Sequence, residues 1–158
     1  MVQSSFLPIY CIDTDALSEG HRIQDIGQLL ENLAKAGRLK APITVLNELN
    51  LGYEERSRWA KNLGNEVFIE LTPGSAIRAG DLVEKYRDPF ADDNNPGITY
   101  PGLIKGEDAH DADPEVIALA MEFGWTVVTK DKGIQGACKL EQIRCMTPQD
   151  LLLEERGG

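Results

Sequence analysis

Four carboxylates in this 158-residue chain stand where the surrounding pattern gives them chemistry: Asp13, Glu48, Asp113 and Asp131. Asp13 closes the apolar run Ile9, Tyr10, Cys11, Ile12, and Asp131 follows Val127, Val128, Thr129 and Lys130. Such runs read as strands buried on both faces, and ligands of parallel sheets bind beyond the carboxyl ends of the strands. Glu48 and Asp113 fall in helical stretches that can lean over the same edge. Acids crowded together without matching bases repel one another, which raises their pKa values. A divalent cation removes that conflict. The pattern reads first as a Mg²⁺ or Mn²⁺ site and second as a set of solvated loop acids.

Taken singly, each acid has a simpler reading. Asp113, ahead of Pro114 and Glu115, suits a helix N-cap. Asp13 and Asp131 suit strand-end turns, and Glu48 suits an exposed helical position. Asp15 and Asp111 read as loop acids, and His21 and His110 as solvent-facing. Cys11, Cys138 and Cys145 form no zinc spacing with either histidine. An odd cysteine count without C-x-x-C argues against a disulfide framework.

The elements that must position these acids alternate in type. Strands are expected at 9–12, 67–71, 126–129 and 143–146. Ile23, Ile26, Leu29, Leu30 and Leu33 recur at helical spacing, with Gly37 as a stop. Pro42 suits the first turn of a helix that buries Val45, Leu46 and Leu49 and carries Glu48 at its edge. A helical stretch over 53–63 follows, ended by Gly64. Ser75 suits the cap of a helix carrying Ile77, Leu82, Val83 and Tyr86. Val116, Ile117, Leu119, Ala120 and Phe123 mark the helix after Asp113, ended by Gly124, and Thr147-Pro148 opens a last helix. Between them, 88–112 reads as an irregular loop of about 25 residues, a length typical of lids. Strands alternating with helices imply one domain over 1–158: an α/β fold, a three-layer α/β/α sandwich on a mainly parallel sheet of about four strands.

Four segments in order carry a family resemblance: the strand ending Asp13-Thr14-Asp15; Val45-Leu46-Asn47-Glu48-Leu49; Asp113-Pro114-Glu115-Val116-Ile117-Ala118-Leu119-Ala120; and Val127-Val128-Thr129-Lys130-Asp131. Together they span about residues 9 to 150 and resemble the PIN-domain family of metal-dependent ribonucleases, many of them VapC-like toxins of bacterial toxin–antitoxin pairs. The resemblance implies that Asp13, Glu48, Asp113 and Asp131 form the family's acidic quartet, both catalytic and metal-holding. It further implies Mg²⁺ or Mn²⁺ as cofactor, single-stranded RNA as substrate, an antitoxin protein as partner, and a homodimer. Asp15 stands where the family usually has a small polar residue, and the loop ahead of Asp113 exceeds that of compact toxins. Thr14 and Thr129 are placed to orient carboxylates, and Lys130 to meet a phosphate oxygen.

Bulk properties narrow the alternatives. A net charge of −10 excludes general coating of nucleic acid, which relies on basic surface. It leaves room for a nuclease, because acids that hold a metal count as negative while acting as a cation site. Seven acids lie from Asp88 to Asp113 against one base, Lys105, whereas Lys130, Lys132, Lys139 and Arg144 follow. No apolar run approaches the roughly 20 residues that cross a bilayer, and the N-terminus lacks a signal-peptide pattern, so no membrane and a cytoplasmic setting are expected. Two competing readings are a haloacid-dehalogenase-type phosphatase, with Asp13 as nucleophile and Asp15 as acid/base, and a non-catalytic PIN-like module that binds protein or RNA.

Overall fold

In the computed structural model, which describes residues 7–104 and 112–157, the apolar run before Asp13 forms β1 (Tyr10–Ile12), buried on both faces. It lies at the centre of a five-stranded sheet. On one side it pairs in parallel with β2 (Leu39–Pro42), which pairs with β3 (Phe68–Ile69). On the other it pairs in parallel with β6 (Thr126–Val128), which pairs with β7 (Cys145–Met146). The order is β3-β2-β1-β6-β7, with Tyr10 opposite Thr126 and Ile12 opposite Val128.

Helices cover both faces, as the α/β/α expectation requires. From β1 the chain runs through α1 (Thr14–Arg22) and α2 (Gln24–Lys35) to β2, then through α3 (Ile43–Leu49) and α4 (Glu54–Lys61) to β3. It returns through α5 (Pro73–Tyr86) and α6 (Asp113–Phe123) to β6, then through α7 (Lys132–Leu140) to β7 and α8 (Pro148–Gly157). The first crossovers move outward from β1 in one direction and the later ones in the other. Right-handed connections therefore place α1 and α2 opposite α6 and α7. The strand order reverses between β1 and β6, the position where such sheets bind ligands. Ile117 and Leu119 of α6 and Ile26 and Leu30 of α2 are among the fully or almost fully buried side chains.

Four differences from the sequence expectations have physical causes. The fifth strand, β2, ends on Pro42, which precedes α3 at its cap position instead of lying in its first turn. Thr72, not Ser75, caps α5, and the Ser75 hydroxyl completes the capping box by accepting from the Thr72 amide. Asp113 is the first helical residue of α6, with Ala112 before it at the cap position. The stretch 88–112 is not structureless where it is described. Phe90–Ala91 (β4) and Thr99–Tyr100 (β5) form an antiparallel hairpin, and Leu103 is wholly buried. His110, Asp111 and Lys105 lie outside the described residues.

The hairpin is riveted to α7. Asp92 accepts from the amides of Asn94 and Asn95, from the Tyr100 hydroxyl at 2.7 Å and from Lys139 Nζ at 2.7 Å. The Lys139 ammonium, then Tyr100 and the Asn94 amide, hold the Asp92 carboxyl well below the usual aspartate range. Tyr100 lies directly over Gly136, where a Cβ would enter its ring.

Candidate active site

Asp13 extends β1 by one residue and Thr129 extends β6 by one, so the parallel register sets them side by side at the carboxyl edge. The Asp13 amide donates to the Val128 carbonyl at 3.2 Å. Its side chain, almost wholly buried, caps α1: Oδ1 accepts from the Ala16 amide at 2.9 Å, and Oδ2 accepts from the Thr129 hydroxyl. The Thr129 hydroxyl also accepts from the Asp131 amide at 2.9 Å. Asp131 in turn caps α7, its Oδ1 accepting from the Ile134 amide at 3.0 Å. One buried threonine therefore ties two of the expected acids together.

Glu48 reaches the same edge from α3. One carboxylate oxygen accepts from the Thr14 hydroxyl, the residue after Asp13, and the other accepts from the Ala112 amide at 3.0 Å, the residue before Asp113. Glu48 thereby bridges the first turns of α1 and α6. Through these bonds all four expected acids, or their chain neighbours, meet where the sheet order reverses. Thr14 and Thr129 orient carboxylates, as their positions suggested.

Beside this edge opens a cleft of about 940 Å³, walled by Tyr53 and Arg56 at the start of α4, Glu19 and Arg22 of α1, and Lys130 and Asp131 beyond β6. Glu19 is a buried acid that no sequence pattern singled out. It accepts from Lys130 Nζ at 2.7 Å and from Arg22 at 2.8 Å on one oxygen, and from Gln149 at 3.1 Å on the other. Burial pushes its pKa up, but Lys130, Gln149 and Arg22 outweigh that and leave it below the ordinary glutamate value. Lys130 is thus pinned across the cleft. Lys132 lines the same cleft, whereas Lys139 serves Asp92 and Arg144 pairs with Glu154. Asp15 is not a loop acid: it sits exposed in the first turn of α1, on the cleft wall. His21 is exposed, as expected, with its ring 5.9 Å from that of Trp59.

Residues 10–157 match a family model described as "Domain of unknown function (DUF4411)". The chain belongs to this family. No curated protein matches the sequence. Among solved structures, the crystal structure of FitAcB from Neisseria gonorrhoeae superposes with a TM-score of 0.56 at 16 % identity, covering 89 % of this chain and 99 % of that one. At that identity the likeness is one of fold, and the architecture is consistent with a PIN-like sandwich.

In this DUF4411 chain the edge supplies hard carboxylate oxygens, the donor type that Mg²⁺ and Mn²⁺ prefer. Each carboxylate oxygen offers two lone-pair sites, so an oxygen already accepting from an amide or hydroxyl retains capacity for a cation. By donor chemistry the quartet fits such an ion. Asp13, Glu48 and Asp131 are each held by hydrogen bonds, and among the described residues no three His, Cys, Asp or Glu side chains form a metal-ligand cluster. No helix among the described residues is long and apolar enough to cross a membrane.

Proposed function

We propose that the chain is a divalent-cation-dependent endoribonuclease that hydrolyses single-stranded RNA at this edge, and that it acts as the toxin of a toxin–antitoxin pair. The observation that supports this most is the bonding that brings Asp13, Asp131 and Glu48, together with the residue before Asp113, to the point where the sheet order reverses. Asp13, Glu48, Asp113 and Asp131 would hold Mg²⁺ or Mn²⁺, which when bound polarises a phosphodiester and makes a water more acidic. Thr129 fixes the buried Asp13 carboxylate and, through the Asp131 backbone, sets the start of α7. Thr14 and the Ala112 amide fix Glu48, which would orient the attacking water from the helix side. The adjoining cleft would admit a strand of RNA, with Lys130, held by Glu19, facing its phosphates. A small antitoxin-like protein as partner, a homodimer and a cytoplasmic setting complete the proposal.

The test is cleavage of a fluorophore–quencher single-stranded RNA by purified wild type and Asp13→Asn, with Mg²⁺, with Mn²⁺ and with chelator. Wild-type cleavage should vanish in chelator. It should fall more than about 100-fold in Asp13→Asn, since even outer partners of metal ligands cost 10–100-fold. Cleavage that survives both treatments would rule the mechanism out.

A further inference from the structure

The turn between α3 and α4 places two side chains, Tyr53 and Arg56, on the wall of the cleft. Tyr53, the residue before α4, is 78 % exposed although it lines the cleft. One turn on, the Arg56 guanidinium carbon stands 6.0 Å from the Tyr53 ring centroid. Arg56 is half-buried, and its Nη1 donates to the Ser18 hydroxyl at 3.3 Å. Its Nε is shut off from solvent with no hydrogen-bond partner. Among the described residues no carboxylate forms an ion pair with it, whereas Arg22 and Lys130 both pair with Glu19. Gly52 leaves the room Arg56 occupies, because a Cβ there would run into the guanidinium.

An exposed aromatic face beside a positioned guanidinium that makes no ion pair among the described residues has a specific complement. The planar fork suits a phosphate oxygen pair, and a bare ring at a cleft mouth suits an unstacked base. A double helix would offer no free base face to such a ring. We infer that Tyr53 and Arg56 form a nucleotide subsite of the cleft, Tyr53 stacking an unpaired base and Arg56 holding a phosphate of the same strand. This rests on the ribonuclease reading and adds to it the place where the strand is gripped, across the cleft that Asp131 also lines.

The experiment measures binding in chelator, so that nothing is cut, using fluorescein-labelled oligouridylate and an abasic ribose-phosphate strand of equal length. Tyr53→Ala should weaken oligouridylate about tenfold and leave the abasic strand unchanged, because only the stacked base is lost. Arg56→Ala should weaken both strands and lower the salt dependence by about one phosphate contact; Arg56→Lys should restore the salt dependence but not the full affinity. Tyr53→Ala weakening neither strand, or both alike, would overturn the subsite, as would wild type that binds no oligouridylate. So would unchanged affinity with a loss of self-association on sedimentation, which would assign this corner to a second copy of the chain. The outcomes separate cleanly from the activity assay. Metal-dependent cleavage equal in wild type, Tyr53→Ala and Arg56→Ala sinks the subsite alone, whereas strand binding with no cleavage under any metal sinks the nuclease reading alone.

Discussion

Asp92 and Glu48 are acids of the same molecule put to opposite uses. Asp92, buried under the β4–β5 hairpin, meets an ammonium, a phenol and two backbone amides, so its charge is cancelled within the fold. Glu48, at the carboxyl edge, is gripped among the described residues by a hydroxyl and an amide, which aim its charge without cancelling it. A buried acid with its own counter-ion fastens two elements together. An acid held only by neutral donors is ready for an added cation, because outer hydrogen bonds orient a ligand while its charge persists. The lesson is that an acid's position in a cleft says less than the identity of its donors.

After Asp13→Asn itself, the largest effect should come from the buried threonine that links the acids. Thr129→Val keeps the volume but leaves Asp13 and the Asp131 amide without their shared partner. RNA cleavage should fall about 10–100-fold, and chemical denaturation should show a loss of about 1–3 kcal/mol. Normal cleavage in this variant would break the claim that the edge is preorganised.

Next comes the rivet itself. Lys139→Met should lower the melting temperature and speed hydrogen exchange at Asn94 and Asn95, while leaving cleavage chemistry at the four acids largely intact. The sign of its pH dependence follows from the depressed Asp92 pKa. A group held low in the fold contributes stability above its unfolded value, near 3.9 for aspartate, and loses it as pH falls toward the folded value. The stability gap between wild type and Lys139→Met should therefore be full at neutral pH and shrink as pH drops below about 4. A gap independent of pH would mean that Lys139 acts through packing alone.

Adding Mn²⁺ or Mg²⁺ should raise the melting temperature, by the equivalent of about 2.7 kcal/mol at a hundredfold excess over Kd. Asp13→Asn should gain less and Lys139→Met should gain as much as wild type; equal gains in Asp13→Asn would place the ion elsewhere. The smallest effect belongs to Asp15→Asn. Asp15 is exposed on the cleft wall, so stability should change by no more than about 0.5 kcal/mol, with cleavage near wild type.

Helices with apolar stripes were legible, and so were their stops: Gly37 and Gly124 both adopt the left-handed conformation that ends a helix, at φ +73° and +72°. Two helices, α1 and α7, were not. The face α1 buries is Ala16, Leu17, Glu19 and Gly20, and α7 buries Gly133, Ile134, Gly136, Ala137 and Cys138. Small residues allow close approach, as where a Cβ on Gly27 of α2 would strike the Gly20 carbonyl, but they carry little hydrophobic signal. The β4–β5 hairpin was hidden for a related reason, since its turn is built on the Asp92 side chain and its docking on a ring laid over Gly136.

By itself, then, the sequence determined the parallel α/β class, the strand-end placement of Asp13 and Asp131, and the candidacy of Glu48 and Asp113, because hydrophobic period and strand length are local properties. The tertiary structure alone decided that Thr129 joins Asp13 to Asp131, that Glu48 spans α1 and α6, that Glu19 pins Lys130, and that Tyr53 and Arg56 face the same cleft as Asp131. Those pairings join residues up to 116 positions apart, and their geometry is fixed by the register of β1 on β6 and by helix crossings that no local pattern encodes.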